Sequence, residues 1–244
     1  MMITAHTVGR FARDALAAGD GACRAVFRRS FYLEFPGGRY ACVGDDALGR
    51  GPLNALAGDF ALPKLGERVA VASDGAKLWT PPAAKGALHV DRLRRIAAPR
   101  LPAEGLACLI VGAHNSLSGH LQPALDALDR WLVGNALSNE IEALIGAGPG
   151  VTPAGDDYLG GVLLALHQLE RRPQAASLWR WLEPRLKRTS ALSAAYLVAA
   201  AAGEGHEALH ALLNGGLELD RLDAAGQAPA WDALAGMLTV IVSE

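Results

Sequence analysis

The period of the hydrophobic pattern changes near residue 100, and this limits the possible folds more than any other feature of the chain. Ser30-Phe31-Tyr32-Leu33-Glu34-Phe35 and Arg39-Tyr40-Ala41-Cys42-Val43 flank Pro36-Gly37-Gly38 and read as two strands around a Gly-rich turn. Residues 68–72 and 76–80 flank Ser73-Asp74-Gly75, whose Asp-Gly suits the positive φ of a tight turn, so a second hairpin is predicted, ended by Pro81-Pro82. Ahead of both, residues 3–18 place Val8, Phe11, Ala15 and Leu16 at helical intervals and predict a leading helix. Beyond Pro99 and Pro102 the helical period takes over. Helices are predicted over residues 121–133, 139–145, 158–169, 178–186, 193–202, 207–213 and 231–242. The reading is α+β: an N-terminal antiparallel β unit over residues 1–100, barrel-like to protect its edges, and a helical portion over residues 101–244.

Between two of the predicted helices lies a segment unlike the rest: Gly146-Ala147-Gly148-Pro149-Gly150-Val151-Thr152-Pro153-Ala154-Gly155-Asp156-Asp157. Glycines allow positive φ and let a ligand approach the backbone. Thr152 followed by Pro153 is a helix-start signal, with Thr as cap and Pro in first position, and an alternative start lies at Gly155, with Asp156 and Asp157 in the first turn. The functional reading is an anion cradle. Gly148, Gly150, Thr152 and Gly155 would bind a small anionic metabolite or phosphate through loop amides. Asp156 and Asp157 would act on the substrate or hold a divalent ion such as Mg²⁺. The competing reading is a tight turn into a capped helix. The segment matches neither GxxxxGK[ST] nor a strand-led GxGxxG, so a nucleotide-phosphate loop is not expected.

Asp157-x-Leu159-x-Gly161-x-Leu163 recurs as Asp232-x-Leu234-x-Gly236-x-Leu238, each copy after a Gly/Pro-containing segment, the second being Gly226-Gln227-Ala228-Pro229-Ala230. A glycine four residues after each Asp shares its helix face. The two helices are therefore expected to pack at their glycines and to bring Asp157 near Asp232, making Asp232 a third candidate catalytic carboxyl. Ser193 and Thr189, ahead of an Ala-rich helix, are read as caps or substrate contacts. His114-Asn115-Ser116 is a weaker polar candidate, and His167 reads as a satisfied core histidine. His206-Glu207-Ala208-Leu209-His210 matches HExxH literally, but no third metal ligand is evident nearby.

Composition closes off other classes. With 51% hydrophobic and 20% charged residues the chain is an ordinary globular one, and a net charge of -2 points away from nucleic acid. Three widely spaced cysteines suggest thiols in a reducing compartment rather than a disulfide framework. The longest weakly polar run, residues 191–203, is too short for a membrane span. A cytoplasmic protein without a membrane partner is expected.

At Gly148-Pro149-Gly150-Val151-Thr152-Pro153-Ala154-Gly155-Asp156-Asp157 the sequence resembles a bacterial family long classed as a domain of unknown function and now associated with AllH, a subunit of oxamate carbamoyltransferase. That family's pattern is GxGPGLTPSGDD. Arg50-Gly51-Pro52-Leu53, the stretch from Thr189 to Ser193 with Gly203, and Trp231-Asp232-Ala233-Leu234-Ala235-Gly236 are similar to further family segments. The resemblance implies a part in carbamoyl transfer between oxalurate and phosphate, within an assembly of several subunits. Two departures stand out. Ala154 replaces the family's Ser, and Ala228-Pro229-Ala230 replaces Thr-Ser-Gly, so the hydroxyls of those family residues are missing. The expected function is thus an enzyme or enzyme subunit binding a small anionic metabolite or phosphate. The alternative is a non-catalytic scaffolding or binding subunit of a metabolic complex.

Overall fold

The computed structural model describes residues 2–83, 88–224 and 227–243. The chain divides into two compact units. One is Met1–Pro82 with Glu204–Ala208, and the other is Ala83–Gly203 with Leu209–Glu244.

The first unit is built from strands β1 (Met2–Gly9), β2 (Gly21–Val26), β3 (Ser30–Phe35), β4 (Arg39–Gly44), β5 (Asn54–Ala57), β6 (Arg68–Ala72) and β7 (Lys77–Trp79), with helix α1 (Arg10–Leu16) after β1. Strand β3 alternates inward Phe31, Leu33 and Phe35 with partly exposed neighbours, as a strand with one buried face must. It pairs with β4 through Gly37 and Gly38, both at positive φ, as its sequence predicts. The strand order is β5-β4-β3-β2-β6-β1-β7, and β1 also pairs with β5. Six strands thus close into a ring, which removes the exposed edges an open sheet would carry. Ile3, Val8, Phe31, Leu33, Phe35, Val43, Val69 and Val71 fill it, with Ala12, Ala15 and Leu16 of α1 packed against them.

Two expectations are corrected here. Residues 3–18 are not one helix: β1 occupies the first half, because Ile3 and Ala5 alternate with exposed neighbours, and only Ala12, Ala15 and Leu16 keep the helical face. Residues 68–80 do not form a hairpin. Gly75 does take positive φ, yet β6 and β7 both run parallel to β1, pairing with Met2–Thr4 and with residues 7–9 respectively. The turn therefore steps the chain along β1 instead of reversing it.

The second unit is helical. It contains α2 (Val90–Ala97), α3 (Ser116–Leu132), α4 (Ala154–Gln168), α5 (Arg172–Leu182), α6 (Ala191–Ala201), most of α7 (Glu207–Leu213), α8 (Asp220–Ala224) and α9 (Gln227–Ile241). The α+β reading therefore holds. Residues 139–145 form a 3-10 helix over Asn139–Leu144, and α5 gives way to another over Glu183–Arg188, where Pro184 cannot continue the α-helical ladder. Nearly every residue of α4 from Tyr158 to Leu166 is buried, so it is the central helix of the unit. Against it packs α9, with Trp231, Leu234, Met237 and Val240 completely or almost completely buried.

The contact between α4 and α9 is backbone to backbone. A Cβ on Gly161 would lie 1.8 Å from the carbonyl oxygen of Ala233, and one on Gly236 would lie 1.9 Å from that of Tyr158. Each contact is the other with the two copies of the repeat exchanged, so the helices pack at their glycines in the manner the repeat predicts. The Gly/Pro segment before the second copy is not a turn. Residues 227–230 already belong to α9, and Gly226 lies outside the described residues.

Candidate functional site

The Gly-rich segment enters α4 through a tight bend. Gly146, Gly148 and Gly150 all have positive φ, and a Cβ on Gly155 would lie 2.0 Å from the carbonyl oxygen of Leu144. Part of the glycine content is therefore a packing requirement, as a tight turn into the helix demands. The helix begins between the two expected starts: Pro153 is the boundary residue, and Ala154 the first helical one.

The first amides of α4 are already in use. Gly155 N–H donates to Ala147 O at 2.9 Å, and those of Asp156 and Asp157 donate to Pro153 O. The loop differs. Among the described residues the amides of Gly148, Gly150, Val151 and Thr152 donate to no backbone carbonyl. Gly150 and Val151 are exposed, Val151 by 48%. These loop amides, unlike those at the helix end, have no backbone acceptor.

Asp156 is 2% exposed and its two oxygens are occupied. Oδ1 accepts from Gly146 N–H at 2.9 Å, and Oδ2 accepts from Ser193 Oγ at 2.8 Å and from the Thr189 hydroxyl. Thr189 and Ser193 thus meet Asp156, and Ser190 caps α6 while also donating to Val151 O. The carboxylate ties the loop to the start of α6.

Asp157 points elsewhere. Its Oδ2 is buried and has no hydrogen-bond partner among the described residues. Burial pushes its pKa well above the ordinary carboxylate range; a hydrogen bond from Thr152 opposes this, and the charges of Asp232 and Asp156 add to it. Asp232 is therefore within electrostatic reach of Asp157. Asp232 is 2% exposed, and burial raises its pKa to about 7 against the opposing pull of the Leu106 and Ala107 amides. Leu106 N–H donates to its Oδ1 at 2.6 Å. Gly105, at positive φ, makes room: a Cβ there would come within 2.5 Å of the same oxygen. Asn115 holds this segment in turn, donating from Nδ2 to Gly105 O at 2.8 Å while its Oδ1 caps α3. Sequence reasoning ranked Asn115 low and passed over Gly105.

The other candidates lie apart. His167 Nε2 donates to Ala201 O at 2.8 Å, and burial lowers its pKa, as for a satisfied core histidine. His114 is exposed. In the HExxH stretch, Ala208 N–H donates to His206 Nδ1, which leaves Nε2 to donate to Leu48 O, and Glu207 binds Arg50 through both its backbone amide and its guanidinium. Those groups serve the first unit. Among the described residues no group of three or more His, Cys, Asp and Glu is placed to hold a metal ion, and Asp156, with both oxygens taken, does not fit Mg²⁺. A concavity of about 510 Å³ at the start of α2, lined by residues including His89, Arg92 and Arg95, shares none of the loop residues. No helix among the described residues is long and apolar enough to cross a membrane.

No curated protein and no solved structure matches the chain. Residues 144–241, which carry the Gly-rich loop, α4 and α9, match the model of the family described as oxamate carbamoyltransferase subunit AllH, and over that stretch the chain is similar to this family.

Proposed function

We propose that the chain is a subunit of a carbamoyltransferase-type enzyme and binds a small anionic, carbamoyl-bearing metabolite or phosphate beside the Gly-rich loop. One observation carries this reading: the loop whose amides at Gly148, Gly150, Val151 and Thr152 donate to no backbone carbonyl among the described residues leads into Asp157, one of whose oxygens is buried without a partner. A guest with an anionic end and a polar N–H end satisfies both, and unmet buried polar groups are costly enough to reward it. Thr152 links the two halves through its hydrogen bond to Asp157. In this reading Asp157 and Asp232 flank the guest, and Asp156 is a positioning residue that works through Gly146, Thr189 and Ser193. In the transfer itself a phosphate oxygen bonds to the carbamoyl carbon, the bond from that carbon to the oxamate nitrogen breaks, and the nitrogen takes a proton. The contribution of this chain is orientation and electrostatic stabilisation. The family description names a subunit, so partner chains supply the remainder of the site.

The test is a thermal-shift screen of the wild type with carbamoyl phosphate, oxamate, oxalurate, phosphate and Mg²⁺. A ligand at a hundredfold excess over Kd raises apparent stability by about 2.7 kcal/mol. The expected outcome is a shift with a carbamoyl compound or phosphate, lost in Asp157→Ala. The scaffolding reading has its own support, since Asp156 and Asp232 both accept hydrogen bonds from their own chain. No shift with any compound establishes it in place of the first.

A further inference from the structure

We propose that His206 is an acid-sensitive latch: its neutral imidazole caps α7 and holds residues 204–208 on the β unit, and protonation of the ring releases that segment. The proposal goes beyond the function proposed above and is independent of it. Its basis is that the two ring nitrogens are used in opposite senses. Nδ1 accepts from Ala208 N–H, the second amide of α7, at 3.2 Å, and Nε2 donates to Leu48 O at 2.9 Å. Only one neutral tautomer does both. Imidazolium carries a proton on each nitrogen, so its Nδ1 would meet the Ala208 amide donor to donor. It would also bring positive charge to the start of a helix, where the peptide dipoles favour the negative charge that Glu207 supplies. The ring is seated closely: a Cβ on Gly49 would come within 2.6 Å of Nε2.

The acidic groups on the neighbouring elements are each paired. Glu207 holds Arg50 through its backbone amide and its guanidinium, and Glu204 holds Arg10 of α1. Asp45 and Asp46, at the 3-10 helix that presents Leu48, pair with Arg29 and His6. His210 follows one turn along α7 and is buried. Burial of the His206 ring outweighs the bond to Leu48 and the charge of Glu207, and lowers its pKa below the ordinary 6.5. The sign follows. Above about 6.5 the ring is neutral whether the segment is held or released, and the latch is at full strength; as pH falls from there toward the lower folded value, release is favoured. Glu207 stays ionised over that window, because its own pKa lies below normal.

Amide hydrogen exchange followed by NMR on the whole chain tests this, each rate being divided by the intrinsic rate at that pH. Protection of Ala208 N–H, and of Glu207 N–H, which donates to Arg50 O, is expected to stay level above about pH 7 and to fall about tenfold by about pH 4.5, as for loss of a helix cap together with its dipole term. Phe31 and Leu33 of β3 are the references and are expected to keep their protection. A local probe is needed because Asp232 stabilises the folded chain as pH falls over the same range. In His206→Asn the side-chain oxygen can cap at every pH, so Ala208 is expected to stay protected throughout. Unchanged Ala208 protection in the wild type overturns the proposal, as does a loss shared equally by β3, which would mean that the whole chain opens. The same loss in a folded His206→Asn assigns it to another group and overturns the proposal as well. If that variant does not fold, the wild-type comparison with β3 decides alone.

Discussion

Asp156 and Asp157 are adjacent, yet their environments give them opposite characters. Asp156 is saturated by a backbone amide and two hydroxyls, whereas Asp157 keeps an oxygen with none. Removing the first strands three donors in a buried place. Asp156→Ala should therefore destabilise the chain by about 3 kcal/mol, seen as a lower midpoint in chemical denaturation. Asp157→Asn removes a desolvated carboxyl that has little compensation, and should leave stability unchanged or raise it. If the two variants behave alike, the assignment of one as a tie and the other as a free acceptor is wrong. Asp232 adds a pH effect. Its pKa in the folded chain, about 7, lies above the ordinary 3.8, so the native state holds a proton the unfolded state has already released. Stability should fall as pH rises from about 4 through 7, by at most about 4 kcal/mol from this group. Asp232→Asn should flatten that slope in melts taken across the range. The acidic pair was visible in the sequence. The difference between its members was not, because their partners Thr189, Ser193 and Asp232 lie far along the chain and only packing selects them.

Among the elements, α4 and α9 show how far a local pattern reaches. A glycine four residues after an aspartate, occurring twice, was enough to anticipate a close helix contact, because small residues on one face are what permit it. The structure puts backbone carbonyls within 2 Å of where each Cβ would stand. Gly161→Ala and Gly236→Ala should each force the helices apart and cost about 3 kcal/mol or more, the cost of overpacking against backbone that cannot move aside. The double variant should cost clearly less than the sum, because both glycines lie in one contact and the first separation relieves the second. Additive losses in denaturant titrations would mean the two contacts are independent. The predicted hairpin at residues 68–80 failed for the opposite reason. Its Asp-Gly turn has the expected backbone, but β1 offers an edge long enough for both strands, and pairing there wins over pairing with each other. Turn chemistry sets a local bend and says nothing about which strand lies alongside.

In the molecule as a whole, the β unit includes five residues from deep within the helical part of the sequence. Glu204 pairs with Arg10 at 2.5 Å, Glu207 with Arg50, and His206 donates to Leu48 O. Burial tends to raise the pKa of Glu207, but the hydrogen bonds and charge of Arg50 outweigh it and hold the value below normal. That stability is present at neutral pH and is lost as pH falls through the folded value. Glu207→Gln should therefore weaken the acid limb of the stability profile and leave the slope due to Asp232 intact, a separation that melts at pH 3–8 can read. The β3–β4 hairpin, the α+β class, the buried character of α4 and the unusual chemistry of residues 146–157 were set by local sequence, since backbone preference and hydrophobic period act over a few residues. Ring closure through β1 and β5, the recruitment of residues 204–208, and the choice of Asp157 over Asp156 as the carboxyl with a free oxygen were decided by tertiary structure. Each depends on groups distant in sequence competing for the same hydrogen bonds and the same dry space, a competition that the folded chain alone resolves.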